Sequence, residues 1–338
     1  MPKHRLVWLT IVDQDPSPLE AQLSGLDYEL EVVLLPDPEQ TVQAVRGGDA
    51  VVTVGVPLRT EVLDQAQRLQ AILSQGHGVD HIDIDDATRH GIMVVNTPGF
   101  CTEEVSNHAL ALLLACTRQI VSLDRRVRNG EWTPDLWGRI DPIPPLVGQV
   151  LGLVSFGGIA RLFARKARAL GLKIIGYDPY IPPWIAQEYR IELVPDLNEL
   201  ARRSDFVSMH VPNAAATRGM LGEDFFRAMK PSAYFVNTGR GRTVDEAAMI
   251  SALQEGEIAG AGLDVFEVEP LSSDSPLMEM ENVVLTPHSA GLSEAIWNRG
   301  ATIMGQEAAR IFRGEWPMSL ANPQVRDRVP PRRPATNS

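Results

Sequence analysis

Cysteine is scarce: Cys101 and Cys116 are the only two in 338 residues, and they make neither a CxxC pair nor a disulfide framework. Long apolar runs are missing as well, none approaching the roughly 20 residues a membrane span requires. Basic charge is short, with 31 Lys and Arg against 43 Asp and Glu. The net charge of −12 opposes a surface for nucleic acid or other polyanions. No repeat of fixed period is present. The opening stretch, MPKHRLVWLTIVDQD, is basic and then apolar, but Asp13 and Asp15 follow with no small-residue cleavage site. It reads as a first strand, not as a signal peptide. What remains is ordinary globular composition, 44% hydrophobic and 22% charged, at a length that suits two domains. A soluble, cytoplasmic, two-domain protein is expected, with no membrane or nucleic-acid partner.

Short Val-, Ile- and Leu-rich runs recur up to about residue 97: Leu6–Val12, Glu29–Leu35, Ala50–Gly55, Leu69–Ser74 and Ile92–Asn96. Polar, helix-compatible segments such as Pro38–Val45 and Thr60–Gln67 separate them. Such alternation predicts a parallel sheet covered on both faces. Thr102 to about Asn129 then reads as one helix, because Val105, Ala109, Leu112, Leu113, Cys116, Ile120 and Leu123 follow one helical face. At 1.5 Å per residue it would span on the order of 40 Å, enough to run from one domain to the other. Gly130 can close it. A loop carrying Trp132 and Trp137 follows, and these could be core, interface or a pocket lid.

A second alternating series has strands near Val150–Val154, Lys173–Tyr177, Phe206–Val211, Tyr234–Asn237, Ile258–Val265 and Val283–Thr286. A last helix is expected around Ser293–Arg313. The proline-rich tail, residues 323–338, is expected to be disordered.

Ser155, Phe156, Gly157, Gly158, Ile159 and Ala160 lead from a strand into a helix. A dinucleotide fingerprint would place Gly at 155 and 157 and Gly or Ala at 160. The first position is serine here, and the other two fit. Gly157 would let backbone approach a pyrophosphate at a helix N-terminus. After 17 more residues comes Asp178, at the distance where the fingerprint expects an acid for the ribose hydroxyls.

Three later strand ends carry reactive side chains: Asn237-Thr238-Gly239-Arg240, Asp264 through Glu269, and Thr286-Pro287-His288. Ligands of open parallel sheets bind outside such carboxyl ends. Singly, each residue has an ordinary structural reading: a surface ion pair for Arg240, a turn residue for Glu269, a strand-end histidine for His288. Their order, however, resembles the D-isomer-specific 2-hydroxyacid dehydrogenase family, as do several flanking motifs. These include Gly76-His77-Gly78-Val79-Asp80, Asn96-Thr-Pro-Gly99, Glu103 through His108, Tyr177-Asp178-Pro-Tyr180, His210-Val211-Pro212, Thr217-Arg218 and Arg313-Gly-Glu315.

The resemblance implies two doubly wound parallel-sheet α/β domains, Rossmann or flavodoxin-like, with a cleft between them. Residues 1–100 plus 290–322 would form the substrate domain, and 101–289 the NAD-binding domain with a dimerisation helix. It further implies a homodimer, NAD as cofactor and a small 2-oxo or 2-hydroxy acid as substrate. Arg240 would bind the carboxylate and carbonyl, and His288 would be the acid/base paired with Glu269. Ser155, Phe156, Gly157, Gly158, Ile159, Asp178, His210, Val211, Pro212, Thr217, Thr238, Gly239, Arg240, Asp264 and His288 would contact the cofactor, Asp264 facing the nicotinamide. Gly76, His77, Gly78 and Val79 would contact the substrate.

His77 and His81 stand four apart, but Gly76 and Gly78 argue against a helix and so against a metal site. The leading expectation is a reductase of glyoxylate, hydroxypyruvate or a similar 2-oxo acid. Phosphoglycerate dehydrogenase is a weaker one, since Val54-Gly55 supply no cation for a phosphate and no regulatory domain is expected beyond residue 338. A dimeric, NAD-linked corepressor-like binding protein is the alternative of a different class, for which Cys101-Thr-Glu-Glu-Val-Ser speaks.

Overall fold

A computed structural model describes residues 3–330 and 332–334. The chain divides into two compact units, residues 1–100 with 293–338, and residues 101–292.

In the first unit, β1 (His4–Thr10), β2 (Tyr28–Leu34), β3 (Ala50–Val54), β4 (Ala71–Ser74) and β5 (Met93–Val95) form one parallel sheet in the order β2-β1-β3-β4-β5. Every residue of β3, β4 and β5 is buried. Such continuous apolar runs, with no alternation, mark a parallel sheet covered on both faces. One face packs Leu6, Trp8 and Leu73 against the helix Ile296–Phe312, and the other packs Val7, Leu9 and Ile72 against Val45 and Leu63. Gly305 lets that helix close on the segment carrying Leu19, whose carbonyl would lie 2.5 Å from a Cβ at 305. Asn322 then ties the chain to β5: its Oδ1 accepts from Val94 N at 2.8 Å and its Nδ2 donates to Ile92 O at 2.9 Å.

The second unit holds β6 (Val150–Val154), β7 (Lys173–Tyr177), β8 (Glu192–Leu193), β9 (Phe206–Met209), β10 (Tyr234–Asn237), β11 (Gly260–Leu263) and β12 (Val283–Leu285). All are parallel, in the order β12-β11-β10-β9-β6-β7-β8. The order reverses between β6 and β9, the position where a doubly wound sheet opens a crevice at its strand ends. Helices Thr102–Thr117 and Gly158–Ala169 cover one face, over Leu151, Leu153 and Val236. Lys166 Nζ joins the two helices, reaching Glu103 Oε1 at 2.9 Å and Ser106 Oγ at 2.7 Å. The other face buries Phe225, Phe226 and Phe235.

Two expectations are corrected. The single helix over 102–129 is two, Thr102–Thr117 and Ile120–Arg128, broken where Gln119 takes a left-handed φ of 52°. The apolar spacing runs across the break, but residues 120–128 bury nothing, so no packing holds the second segment in line with the first. The tail is not featureless over its described part. Pro323–Asp327 forms a 3-10 turn around the fully buried Val325, and Arg332 donates to Ile311 O at 3.0 Å and Gln70 Oε1 at 2.8 Å. One apolar side chain and a few backbone acceptors order a segment whose composition is polar. Residues 331 and 335–338 lie outside the described residues.

Candidate active site

The chemistry-bearing side chains of the second unit gather at the carboxyl ends of its strands, in two groups. The first surrounds the turn after β6. Ser155 stands in the left-handed region, φ 71°, where the fingerprint has its first glycine. A non-glycine residue there costs about 1–3 kcal/mol unless its surroundings fix it. Here they do. Ser155 Oγ donates to Asp178 Oδ2 at 3.2 Å, and Phe156 N donates to the same oxygen at 2.8 Å. Asp178, at the end of β7, also accepts from Tyr180 N through Oδ1 at 2.9 Å. A carboxylate offers about four acceptor sites, so one remains.

Phe156 itself offers little to a ligand. Its ring is fully buried and its N–H belongs to Asp178. Gly157 caps the helix Gly158–Ala169, and no side chain bonds to the first N–H groups of that helix. Other helices of the molecule are capped by aspartates: Asp37, Asp196 and Asp245 each accept from the third helical N–H. A Cβ added at Gly157 or Gly158 would meet nothing within 4 Å. The uncapped N–H groups and the clear space before them suit a phosphate.

Next in the sheet, His210 follows β9. It keeps some accessible surface as a residue, yet burial of the ring pushes its pKa down to about 4, so it is neutral at pH 7. Its Nε2 lies 3.0 Å from Ser208 Oγ. Val211 is buried beside it, and the hydroxyl of Thr217 closes the loop after it by donating to Pro212 O at 2.8 Å. Thr238, after β10, has a buried hydroxyl with no partner among the described residues. Gly239 approaches β9 closely: a Cβ there would lie 3.1 Å from Met209 O. An orphaned buried hydroxyl and an uncapped helix start on the same strand-end edge fit a dinucleotide.

The second group is Arg240, Glu269 and His288. His288 Nδ1 lies 2.7 Å from Glu269 Oε2, and Glu269 Oε1 accepts from Phe266 N at 3.0 Å. Burial pushes the Glu269 carboxyl up, but those two hydrogen bonds and the charges of His288 and Arg240 outweigh it, and its pKa lies below the usual value. Arg240 is held by its own turn, donating from Nη1 to Gly239 O at 2.8 Å, while its carbonyl accepts from Thr243 Oγ1 at 2.6 Å. His288 is a second left-handed non-glycine residue, φ 51°. The half-exposed imidazole, anchored through Nδ1, has Nε2 left for a proton.

Asp264, expected to face a cofactor, is held by its own chain in this structure. It has no exposed surface, and its carboxylate is spent on the 286–290 loop. It accepts from Thr286 Oγ1 at 2.7 Å, Ser289 N at 2.8 Å and Ala290 N at 2.9 Å, while its carbonyl accepts from His288 N at 2.8 Å. Asp264 is therefore what places His288. His108, on the helix Thr102–Thr117, buttresses this cluster, its Nε2 lying 2.9 Å from Thr286 Oγ1. Position 108 is 178 residues from its partner, and no local pattern connects them.

The loop Gly76, His77, Gly78 and Val79 belongs to the first unit, after β4. It is not helical, so His77 and His81 do not share a helix face. Asn96 Nδ2 donates to His77 O at 2.8 Å and Thr97 N to Gly76 O at 3.0 Å. Trp132 and Trp137 are 69% and 80% exposed, which removes the core option for both.

Residues 110–290 match the family described as "D-isomer specific 2-hydroxyacid dehydrogenase, NAD binding domain". A glyoxylate reductase of Korarchaeum cryptofilum is 40% identical over 318 residues, 92% of this chain and 96% of that one. A D-3-phosphoglycerate dehydrogenase of Methanocaldococcus jannaschii is 37% identical over 295 residues, 87% of this chain but 55% of that one. The holo crystal structure of Rhodotorula graminis D-mandelate dehydrogenase superposes with a TM-score of 0.85 at 30% identity, covering 95% of this chain and 98% of that one. Likeness on this scale spans both units, and the chain belongs to the D-isomer specific 2-hydroxyacid dehydrogenase family, oxidoreductases of 2-hydroxy acids with NAD as the family's cofactor.

Proposed function

We propose that this chain reduces small 2-oxo acids, of the size of glyoxylate or hydroxypyruvate, with NADH in preference to NADPH. The second unit is assigned to the cofactor and the first to the substrate. The observation that carries this reading is the 2.7 Å contact of His288 with Glu269, on a left-handed backbone that Asp264 holds in place. Strain of that kind persists where the surroundings over-determine it, and here it aims an imidazole.

When held at the strand ends by the residues after β6, β9 and β10, NADH would supply the hydride. Arg240 engages the substrate carboxylate and carbonyl with its planar fork, drawing electron density from the carbonyl. His288 gives the proton to the developing alkoxide from Nε2 and takes it back in the reverse direction. Glu269, in contact with Nδ1, keeps the ring from turning. The loop 76–79 of the first unit is assigned to the substrate. Asp178 sets the cofactor preference, because a carboxylate at the ribose end repels a 2′-phosphate.

The chain is assigned as a homodimer. Val127, Trp132 and Trp137 place exposed apolar surface along one short stretch, which supports that assignment. A cytoplasmic location accords with the scarcity of cysteine, two residues in the whole sequence with no CxxC pair.

Turnover of a panel of 2-oxo acids with NADH, in the native chain and in His288→Ala, tests the reading. The variant is expected to lose roughly 10²–10⁴-fold in turnover while still binding NADH, the usual loss for a positioned acid. Near-native turnover in His288→Ala would remove His288 from the mechanism. No turnover by the native chain on any 2-oxo acid would remove the reading itself.

A further inference from the structure

We propose that Ser155 is a specificity-determining residue: its hydroxyl pins the Asp178 carboxylate and so enforces the choice of NADH over NADPH. The inference rests on the reading that Asp178 lies at the ribose end of the cofactor.

The fingerprint places a glycine at this position because the turn needs a left-handed backbone, and glycine supplies that freely. This chain holds the same backbone, φ 71°, with a serine. Glycine would give the turn its shape but not the hydroxyl that reaches Asp178 Oδ2 at 3.2 Å. The carboxylate is thereby clamped from three sides, by Ser155 Oγ, Phe156 N and Tyr180 N. The two backbone donors are fixtures of the turn and of the residues after β7. Only the serine bond depends on a side chain.

A clamped carboxylate cannot swing aside when a 2′-phosphate arrives, so the repulsion is felt in full. Its Oδ1, which among the described residues accepts from Tyr180 N alone, keeps a site for a ribose hydroxyl. A loosened carboxylate can rotate toward solvent and let the phosphate in. Arg161, on the nearest helix turn, donates its Nε to Phe156 O at 3.0 Å and places its guanidinium 5.9 Å from the centre of the Tyr189 ring.

The test is direct binding of NADH and of NADPH by calorimetric titration, with no substrate present. Native chain, Ser155→Ala and Ser155→Gly are compared, alone and combined with Asp178→Asn. Ser155→Ala removes the hydroxyl and keeps the Cβ, while Ser155→Gly also relieves the backbone, so a folding defect in one is checked by the other. Both are expected to lower the NADH-over-NADPH affinity ratio by about fivefold, within the coupling range of residues in contact. Neither should change the ratio once Asp178 is Asn. An unchanged ratio in both single variants overturns the inference, and so does the same change in the Asn background. Equal affinity of the native chain for the two cofactors would sink the underlying reading as well. A native preference for NADH that survives both substitutions would sink this inference alone.

Discussion

Asp178 and Asp264 stand at equivalent places, each just beyond a strand of the same sheet, and each takes backbone N–H groups from the loop of a neighbouring strand. Asp178 holds the turn after β6 through Phe156 N. Asp264 holds the loop after β12 through Ser289 N and Ala290 N. The contrast lies in what is left over. Asp264 has no exposed surface, whereas Asp178 is only partly buried and keeps an acceptor site. A carboxylate shut away from solvent by its own chain is scaffold, and one left at an open edge can read a ligand. Each also stabilises a left-handed non-glycine residue, Ser155 in one case and His288 in the other. The same local chemistry thus serves the cofactor turn at one end and the proton donor at the other.

The comparison breaks most sharply at Asp264. Replacing it with Ala leaves Thr286 Oγ1, Ser289 N and Ala290 N without their acceptor in a site closed to solvent. At about 1–3 kcal/mol per unsatisfied buried group, partly offset by water entering the space, the loss of stability is expected to be about 3 kcal/mol or more. Turnover should fall with it, because the loop on either side of His288 loses its support even though the Asp264 carbonyl still accepts from His288 N. Urea unfolding followed by tryptophan fluorescence measures the first effect. A loss under about 1 kcal/mol would mean that the carboxylate is dispensable to the loop.

How much of this was legible in the residues depended on distance along the chain. The buried strands announce themselves as short apolar runs, and the Arg240, Glu269, His288 order is visible without coordinates. β8, Glu192–Leu193, is not, because two residues make no run. Gln119 carries no mark of a left-handed backbone, so the helix break could not be placed. Ser155 is visible as a departure from a glycine, but its bond to Asp178 depends on a rotamer and on a partner 23 residues away. The bonds of Asp264 to the 286–290 loop are hidden from the sequence for the same reason. A strand-end acid can face a ligand or its neighbours, and only packing decides between them.

Asp178→Ala sharpens the contrast from the other side. Its donors sit at a partly exposed edge where water can replace the carboxylate, so the stability cost is expected to be about 1 kcal/mol, well below that of Asp264→Ala. The cofactor preference should change far more. A unit charge about 4 Å from a phosphate is worth roughly 4 kcal/mol at an effective dielectric of 20 before relaxation, and a third of that is already tenfold in affinity. Titration of the variant with both cofactors is expected to show the preference for NADH reduced at least about tenfold. A stability loss matching that of Asp264→Ala, with the preference intact, would make Asp178 scaffold too.

Glu269 is the third carboxylate of this edge, and the smallest effect is expected there. Its pKa is held below the ordinary 4.5, so it stabilises the folded chain while it is charged. That contribution is complete above the unfolded-state pKa and is lost as the pH falls through the lower, folded one. The carboxyl is partly exposed, its side chain 33% accessible, and solvent screening limits the gain to the roughly 0–1 kcal/mol of a surface ion pair. Glu269→Gln removes the charge at every pH. The stability gap between native chain and variant should therefore be widest near neutrality and close on acidification below the usual carboxylate range, where the native side chain becomes a neutral acid resembling the amide. Urea midpoints at a series of pH values, compared between the two, check this. A gap that stays constant across the carboxylate range would mean that the contact with His288 does not persist in solution, and the proton donor would then lack its partner.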